Sequence, residues 1–225
     1  MSGVVVFDMD GVLVDVSESY RETIRRTVEH FTGALVSHEE IQDWKNQGGW
    51  NDDWQLSRAL IAARGREMDL PDVVEYFQKI FHGENGDGLM SRERWIGRPG
   101  LMEELVMRFG LAVFTGRTRW EAELTLRRFA PEIAFDPVLG SDDVARHKPA
   151  PDGLLEIRKR FPDAACWYVG DTVDDARASR AAAVPFIGIA APANPRHDTL
   201  VALLRDEGAV AVLDDINDLP SALPR

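Results

Sequence analysis

Val4-Val5-Val6-Phe7 runs directly into Asp8-Met9-Asp10-Gly11-Val12-Leu13-Val14-Asp15. Four apolar, β-favouring residues without polar alternation read as a strand buried on both faces. Such strands belong to parallel sheets, whose crossover helices cover both sides. Ligands of an open parallel sheet bind just outside the carboxyl ends of its strands. The acidic turn at Asp8–Asp15 therefore marks where chemistry is expected, as well as where the first strand ends.

Working outward, similar short apolar runs recur at 111–114, 134–139, 166–169, 184–189 and 209–213. Helix-length amphipathic stretches separate most of them, at 100–109, 119–129, 151–161, 174–183 and 196–207. Strands alternating with helices predict an α/β fold, a Rossmann-like parallel sheet flanked by helices. One interval breaks the rhythm. Between Val16 and Arg98 no strand is expected, and four helices are, at 17–31, 37–46, 52–64 and 71–81. Ser37 and Glu40 have the spacing of a capping box, and Pro71 suits a first helical turn. This predicts a helical module at 16–98 inserted into an α/β core built from 1–15 and 99–225. The hinges are expected at Asp15-Val16 and Gly97-Arg98-Pro99-Gly100, and the glycine-rich stretch 83–88 as an exposed loop.

Composition narrows the function. Among 225 residues, 26 are Lys or Arg and 38 are Asp or Glu, a net charge of −12. So acidic a chain has no general attraction to phosphate backbones or anionic lipid, which argues against nucleic acid and membrane as partners. No apolar run approaches the roughly 20 residues of a membrane span. The start, Met1-Ser2-Gly3, has no basic region and meets an Asp too soon for an export signal. The single cysteine, Cys166, forms no intrachain disulfide, and a cytoplasmic location is expected. Of the 26 basic residues 22 are Arg, so each of the four lysines (Lys45, Lys79, Lys148, Lys159) is a conspicuous choice.

Four segments converge on the predicted ligand rim. Asp8-Met9-Asp10-Gly11 follows the first strand, and Thr115-Gly116-Arg117 follows residues 111–114. Gly170-Asp171-Thr172-Val173-Asp174-Asp175 follows residues 166–169, and His147-Lys148-Pro149 precedes a helix. Singly, each has an ordinary explanation. An Asp after a strand is a good N-cap, Asp174 and Asp175 favour a helix start, Thr115-Gly116 is a turn, and Lys148 is solvated. Together they place several carboxylates on one rim, where they repel unless a cation sits among them. Hard oxygen donors of this kind suit Mg2+. The five histidines show no ligand spacing, and none is assigned to a metal.

The segments DMDGVLVD (8–15), FTGR (114–117), HKPAPDGL (147–154) and GDTVDDARA (170–178) resemble the motifs of the haloacid dehalogenase superfamily, the aspartate-nucleophile phosphohydrolases. They fall in that family's order across essentially the whole chain. The helical insertion resembles the small cap of the subgroup containing phosphoglycolate phosphatases and β-phosphoglucomutases. The resemblance implies a phosphatase in which Asp8 attacks phosphorus. Asp10 is then implied as the acid that protonates the leaving oxygen and the base that activates water. It implies Thr115 as a donor to the phosphoryl oxygens and Lys148 as the balancing charge. The Mg2+ ligands it implies are Asp8, Asp171 and the Asp10 carbonyl, with Asp175 as a ligand through water or an outer partner. Dehalogenases of this type lack the second Asp, so Asp10 favours phosphoryl transfer.

The cap is where such enzymes select substrates. Residues 44–54 hold Trp44, Trp50 and Trp54 around Gly48-Gly49. Lys45, Trp50 and Asn51 are candidate substrate contacts, with packing inside the cap as the alternative. Trp44 and Trp54 are expected as cap core. Gly116 and Arg117 are further candidates, Arg117 with a surface role as its alternative, and Arg92 and Arg94 are weaker ones. Asp52 and Asp53 suggest a substrate bearing an amino or imidazole group. The expected partner is a small phosphorylated metabolite, and the chain a monomer or homodimer. A sugar-phosphate mutase and a non-catalytic phospholigand-binding module remain alternatives. Against the mutase, this chain has no His shortly after Asp15, where the β-phosphoglucomutase pattern has one. A phosphonate hydrolase would need a Schiff-base lysine in the cap, for which Lys45 is the candidate.

Overall fold

The computed structural model describes residues 3–84 and 86–224. Met1 and Ser2, read above for an export signal, and Asn85 of the glycine-rich loop lie outside the described residues, as does Arg225. The strands among the described residues are β1 (Val4–Phe7), β2 (Val14–Asp15), β3 (Arg94–Trp95), β4 (Gly110–Phe114), β5 (Val138–Leu139), β6 (Cys166–Gly170), β7 (Phe186–Ile189) and β8 (Ala211–Leu213). The helices are α1 (Tyr20–Thr32), α2 (His38–Gln47), α3 (Asp53–Ala62), α4 (Leu70–His82), α5 (Leu101–Val106), α6 (Arg119–Phe129), α7 (Asp152–Arg160), α8 (Val173–Ala181), α9 (His197–Asp206) and α10 (Leu219–Ala222).

Six of the strands form one parallel sheet in the order β5-β4-β1-β6-β7-β8. All four residues of β1 are buried, as its unalternated sequence predicts for a central strand. The chain steps outward from β1 to β4 and β5. It then returns to β6 on the other flank of β1 and steps outward again. The direction of travel thus reverses between β1 and β6, and that reversal opens a crevice at the carboxyl ends of the strands. Phe7 is level with both Val113 and Val169. Asp8 therefore emerges beside the ends of β4 and β6, where Thr115 and Asp171 follow.

Helices are anchored by aliphatic side chains buried against the sheet. Leu154 and Ile157 of α7 and Leu200 and Leu204 of α9 share one core cluster with Phe114, Tyr168 and Phe186. Each such aliphatic side chain contributes roughly 1.5–3 kcal/mol on full burial. Two helices that leave the crevice begin with reciprocal capping boxes, Thr118 with Glu121 on α6 and Thr172 with Asp175 on α8. These boxes satisfy orphan N–H groups and fix where each helix starts.

The chain divides into two compact units, one running up to Val14 and again from Trp95, the other spanning Asp15–Arg94. The second unit is helical. Ile24 and Val28 of α1, Leu56 and Leu60 of α3, and Phe77 and Phe81 of α4 are fully buried and form its core. Ser37 caps α2 by accepting from the Glu40 N–H at 3.1 Å. Only half of the expected capping box forms, because the Glu40 carboxylate pairs with Arg64 at 2.8 Å. Pro71 lies in the first turn of α4, as expected.

Two expectations need correction. The interval after Val16 does contain a strand, since β3 pairs with β2 in a two-stranded ribbon. Two residues are too few to generate a periodic signal. The run 134–139 yields only Val138–Leu139 as strand, because Pro137 has no N–H for the ladder. Among the described residues no helix is long and apolar enough to cross a membrane.

Candidate active site

Asp8 leaves the end of β1 with its N–H donating to the Val169 carbonyl at 2.8 Å, which pins it to the neighbouring strand. Its side chain faces a buried environment, with 3% of the residue exposed. The chain then folds back at once. Leu13 and Val14 donate to the Met9 carbonyl, and Gly11 donates to that of Val14. Gly11 takes φ +73°, and a Cβ there would run into the Asp171 carboxylate. Glycine is thus required for conformation and for room at this point.

Lys148 sits beside Asp8, and Thr115 follows the strand next to it. Thr115 follows β4, is 1% exposed, and its N–H donates to the Leu139 carbonyl at 3.0 Å. Its hydroxyl accepts from the Arg117 N–H at 3.3 Å, which leaves the hydroxyl proton for another acceptor. The Lys148 side chain is buried between two carboxylates. Its Nζ lies 3.1 Å from Asp8 Oδ1 and 2.6 Å from Asp175 Oδ1, and it donates to the Tyr168 hydroxyl at 3.1 Å.

Asp175 is fully engaged. Its Oδ2 accepts from the Thr172 N–H at 3.0 Å and from the Thr172 hydroxyl at 2.6 Å. Its Oδ1 lies 2.7 Å from the Tyr168 hydroxyl in addition to Lys148. Burial pulls the Asp175 carboxyl upward, but Lys148, Thr172 and Tyr168 outweigh it and hold it below its ordinary value. Burial depresses the Lys148 ammonium, yet Asp175 and Asp8 hold it above its ordinary range. Asp8 goes the other way. Burial is the main cause and pushes it up to about 7; Lys148 opposes the rise, and the charges of Asp175 and Asp10 add to it.

The Lys148 ammonium is at ion-pair distance from Asp8 Oδ1, but off the hydrogen-bonding direction. Oδ1 is buried and receives no hydrogen bond from the described residues. Such an oxygen costs about 1–3 kcal/mol, and more when charged. Carboxylate oxygens of Asp8, Asp171 and Asp175 all lie within 4.8 Å of one another. Asp10 adds a fourth carboxylate, against the two cations Lys148 and Arg117. This acid excess and the unsatisfied Asp8 oxygen fit a hard divalent cation. Asp174 is buried in the first turn of α8 but lies outside the cluster, so Asp175 is the acid that α8 brings to the site.

Arg117, expected at a substrate or on the surface, does neither on this geometry. Its side chain is completely buried. Nε and NH2 reach Asp10 Oδ1 at 2.7 and 2.5 Å, and NH1 donates to the Thr125 hydroxyl at 2.8 Å. Gly116 is exposed beside it, and so is His147.

The cap candidates lie in the helical unit. Lys45 Nζ is paired with Asp53 at 2.7 Å, with both side chains largely buried. Asp52 caps α3 by accepting from the Trp54 and Gln55 N–H groups. Both carboxylates thought to favour an amino or imidazole group are therefore committed within the helical unit. The proposed Schiff-base lysine is an ion-pair partner. Trp44 and Trp54 are half-buried rather than core, and Trp44 meets Trp50 edge-to-face at 4.8 Å. Trp50 also lines a cavity of about 380 Å³ with Gln55, Arg58, Ala59, Glu67 and Met68. Asn51 is half-buried after it, Arg92 is exposed, and Arg94 pairs with Glu18 at 3.2 Å.

Three residues of this network escaped the sequence reading. Tyr168 faces Lys148 and Asp175 from β6, and Thr125 seats Arg117 from α6; no spacing announces either. Thr172 is the third, and it carried a signal that could have found it, because Thr-x-x-Asp ahead of a helix is a capping-box pattern.

Residues 5–189 match the family model of haloacid dehalogenase-like hydrolases. The imidazoleglycerol-phosphate dehydratase of Phytophthora nicotianae is 36% identical over 197 residues, covering 84% of this chain; the chain spans 43% of that protein. A phosphoglycolate phosphatase of Salmonella typhimurium is 25% identical over 241 residues, covering 97% of this chain and 91% of its own. Among solved structures, a haloacid dehalogenase-like protein of unknown function from Agrobacterium tumefaciens matches with a TM-score of 0.73 at 20% identity, over 99% of this chain and 97% of that one.

Proposed function

Since the chain belongs to the haloacid dehalogenase-like hydrolase family, we propose that it is a Mg2+-dependent phosphatase of a small phosphorylated metabolite, working through an aspartyl phosphate on Asp8. The observation that carries this reading is Asp8 itself. It stands at the end of the central strand, beside Lys148, with one buried oxygen unsatisfied and Asp171 and Asp175 within reach.

In the first half-reaction an Asp8 oxygen bonds to phosphorus while the bond from phosphorus to the leaving oxygen breaks. Asp10 gives that oxygen its proton. In the second half, water attacks the phosphoryl group, Asp10 takes a proton from it, and the Asp8 carboxylate is regenerated. Lys148 opposes the effect of burial and favours the anionic form of Asp8. The Thr115 hydroxyl is placed to donate to a phosphoryl oxygen. Mg2+ held by Asp8, Asp171 and the Asp10 carbonyl, with Asp175 behind them, would neutralise charge on the phosphoryl oxygens and favour the ionised Asp8.

A narrower reading of the substrate has one observation in its favour. The Phytophthora relative is named for imidazoleglycerol phosphate. That supports a phosphate monoester bearing an imidazole or amino group, although Asp52 and Asp53 lend it no help. A panel of phosphate esters, assayed for released phosphate with and without Mg2+, tests both levels. Turnover of only neutral or anionic esters removes the narrower reading. Failure on every ester removes the phosphatase.

A further inference from the structure

We propose that Arg117 is a positioning residue that aims the proton-carrying oxygen of Asp10. The inference rests on the phosphatase reading, in which Asp10 protonates the leaving oxygen.

Arg117 bridges the Asp10 turn and helix α6 through its side chain. NH1 is seated on Thr125, a residue of α6 that is 1% exposed. Nε and NH2 both converge on the same Asp10 oxygen, Oδ1, at 2.7 and 2.5 Å. A guanidinium is rigid and planar, so two of its nitrogens on one oxygen fix where that oxygen lies. The other carboxylate oxygen, Oδ2, takes no part in these two contacts. The Asp10 side chain keeps 29% of its surface exposed, whereas that of Arg117 keeps none. Arg117 is thus walled off from solvent, while the group it holds is not. A residue meant to grip a ligand directly would show the reverse.

The chemistry makes the orientation matter. With Oδ1 occupied by two donors, the proton of the acid form resides on Oδ2. It passes to the leaving oxygen as the bond from phosphorus breaks. Oδ2 then accepts a proton from the attacking water, so the carboxyl returns to its starting state. A general acid must lie within hydrogen-bond reach of the oxygen it protonates. An Asp10 free to rotate would offer that geometry for only part of the time.

Leaving groups differ in their need for that proton, and this supplies the test. An alkyl phosphate expels an alkoxide that must be protonated. 4-Nitrophenyl phosphate expels a stable phenolate that need not be. The ratio kcat/KM reports events up to the first irreversible step, the departure of the leaving group. For Arg117→Ala we expect kcat/KM on an alkyl phosphate substrate to fall about 100-fold or more, and on 4-nitrophenyl phosphate by less than about 5-fold. Added guanidinium should recover much of the alkyl phosphate activity. Thr125→Val leaves the Asp10 contact in place but removes the seat of Arg117, and should show a smaller loss with the same bias towards alkyl esters. This variant serves if Arg117→Ala does not fold. Equal losses on the two substrates, or no bias in Thr125→Val, would overturn the proposal and make Arg117 a ligand contact or a purely structural residue. Absence of turnover by the wild-type protein on both substrates would instead overturn the phosphatase reading beneath it.

Discussion

Replacing Lys148 by Met should unmask the repulsion that the site is built around. Methionine keeps most of the apolar stem, which lies 5.5 Å from the Phe114 ring centre and 5.9 Å from that of Tyr168 at its charged end. What disappears is the ammonium 3.1 Å from Asp8 and 2.6 Å from Asp175. Removing one member of a buried ion pair costs about 3–5 kcal/mol, because the partner stays buried without compensation. For a chain of this size that corresponds to a melting temperature lower by about 6–20 °C. The loss should depend on pH, and the sign follows from the two kinds of group. The Lys148 ammonium is held above its ordinary value of 10.5, so its contribution is complete below that value and fades only at higher pH. Between pH 5 and 8 the wild-type lysine therefore introduces no trend of its own. The Asp8 carboxyl is already raised to about 7 with Lys148 present, and without it rises further. A carboxyl raised by burial binds a proton in the folded state and weakens the fold as pH climbs above its ordinary value. The deficit of the variant should grow with pH, since Asp175 loses the partner that holds its carboxyl low, and the Asp8 share is added only above about pH 7, so the variant is most compromised at pH 8. Scanning calorimetry in EDTA at several pH values measures this, and added Mg2+ should restore part of the deficit at pH 8. A drop below about 1 kcal/mol at pH 8, or one that ignores pH, would refute the reasoning.

Three further outcomes are expected. Asp8→Asn should fold and lose turnover on the order of 1,000-fold or more, as removal of a nucleophile does; near wild-type rates in a folded, Mg2+-loaded sample would exclude Asp8 as nucleophile. Gly11→Ala should weaken Mg2+ binding, because its Cβ collides with the Asp171 carboxylate and its φ of +73° costs a non-glycine residue about 1–2 kcal/mol; an unchanged Mg2+ titration would show that Asp171 is not a ligand. Mg2+ binding should release a proton from Asp8, whose carboxyl sits at about 7 in the metal-free protein, so affinity should decline as pH falls below neutrality. Calorimetric titrations in two buffers of different ionisation heat would reveal the proton, and identical heats would contradict the assignment.

The parts legible in sequence were those that local chemistry enforces. Val4–Phe7 announces a central strand because four consecutive apolar residues need cover on both faces. Asp8, Thr115, Lys148, Asp171 and Asp175 were legible as a group because strand ends and a loop put them on one rim. What stayed hidden depends on which side chains meet across elements. Arg117 looked like a residue for the ligand, and only the burial of its side chain against Asp10 and Thr125 shows its commitment. Tyr168 is the middle residue of an apolar strand, where nothing marks the face that meets Lys148. Asp53 looked available to a substrate because its partner, Lys45, lies eight residues away on another helix. The β2–β3 ribbon was missed because each member has two residues.

That ribbon has a consequence for how the chain can change. The Ile96 N–H donates to the Leu13 carbonyl at 2.9 Å, and Val14–Asp15 pairs with Arg94–Trp95 just beyond. The helical insert therefore departs and returns through neighbouring positions, like a loop tied at its neck. The entropic cost of closing a longer loop grows only with the logarithm of its length. With the neck tied, an insert could be lengthened, shortened or exchanged without altering the register that sets Asp8 beside Lys148. The acidic rim of the sheet and the helical insert can then vary along separate stretches of one sequence.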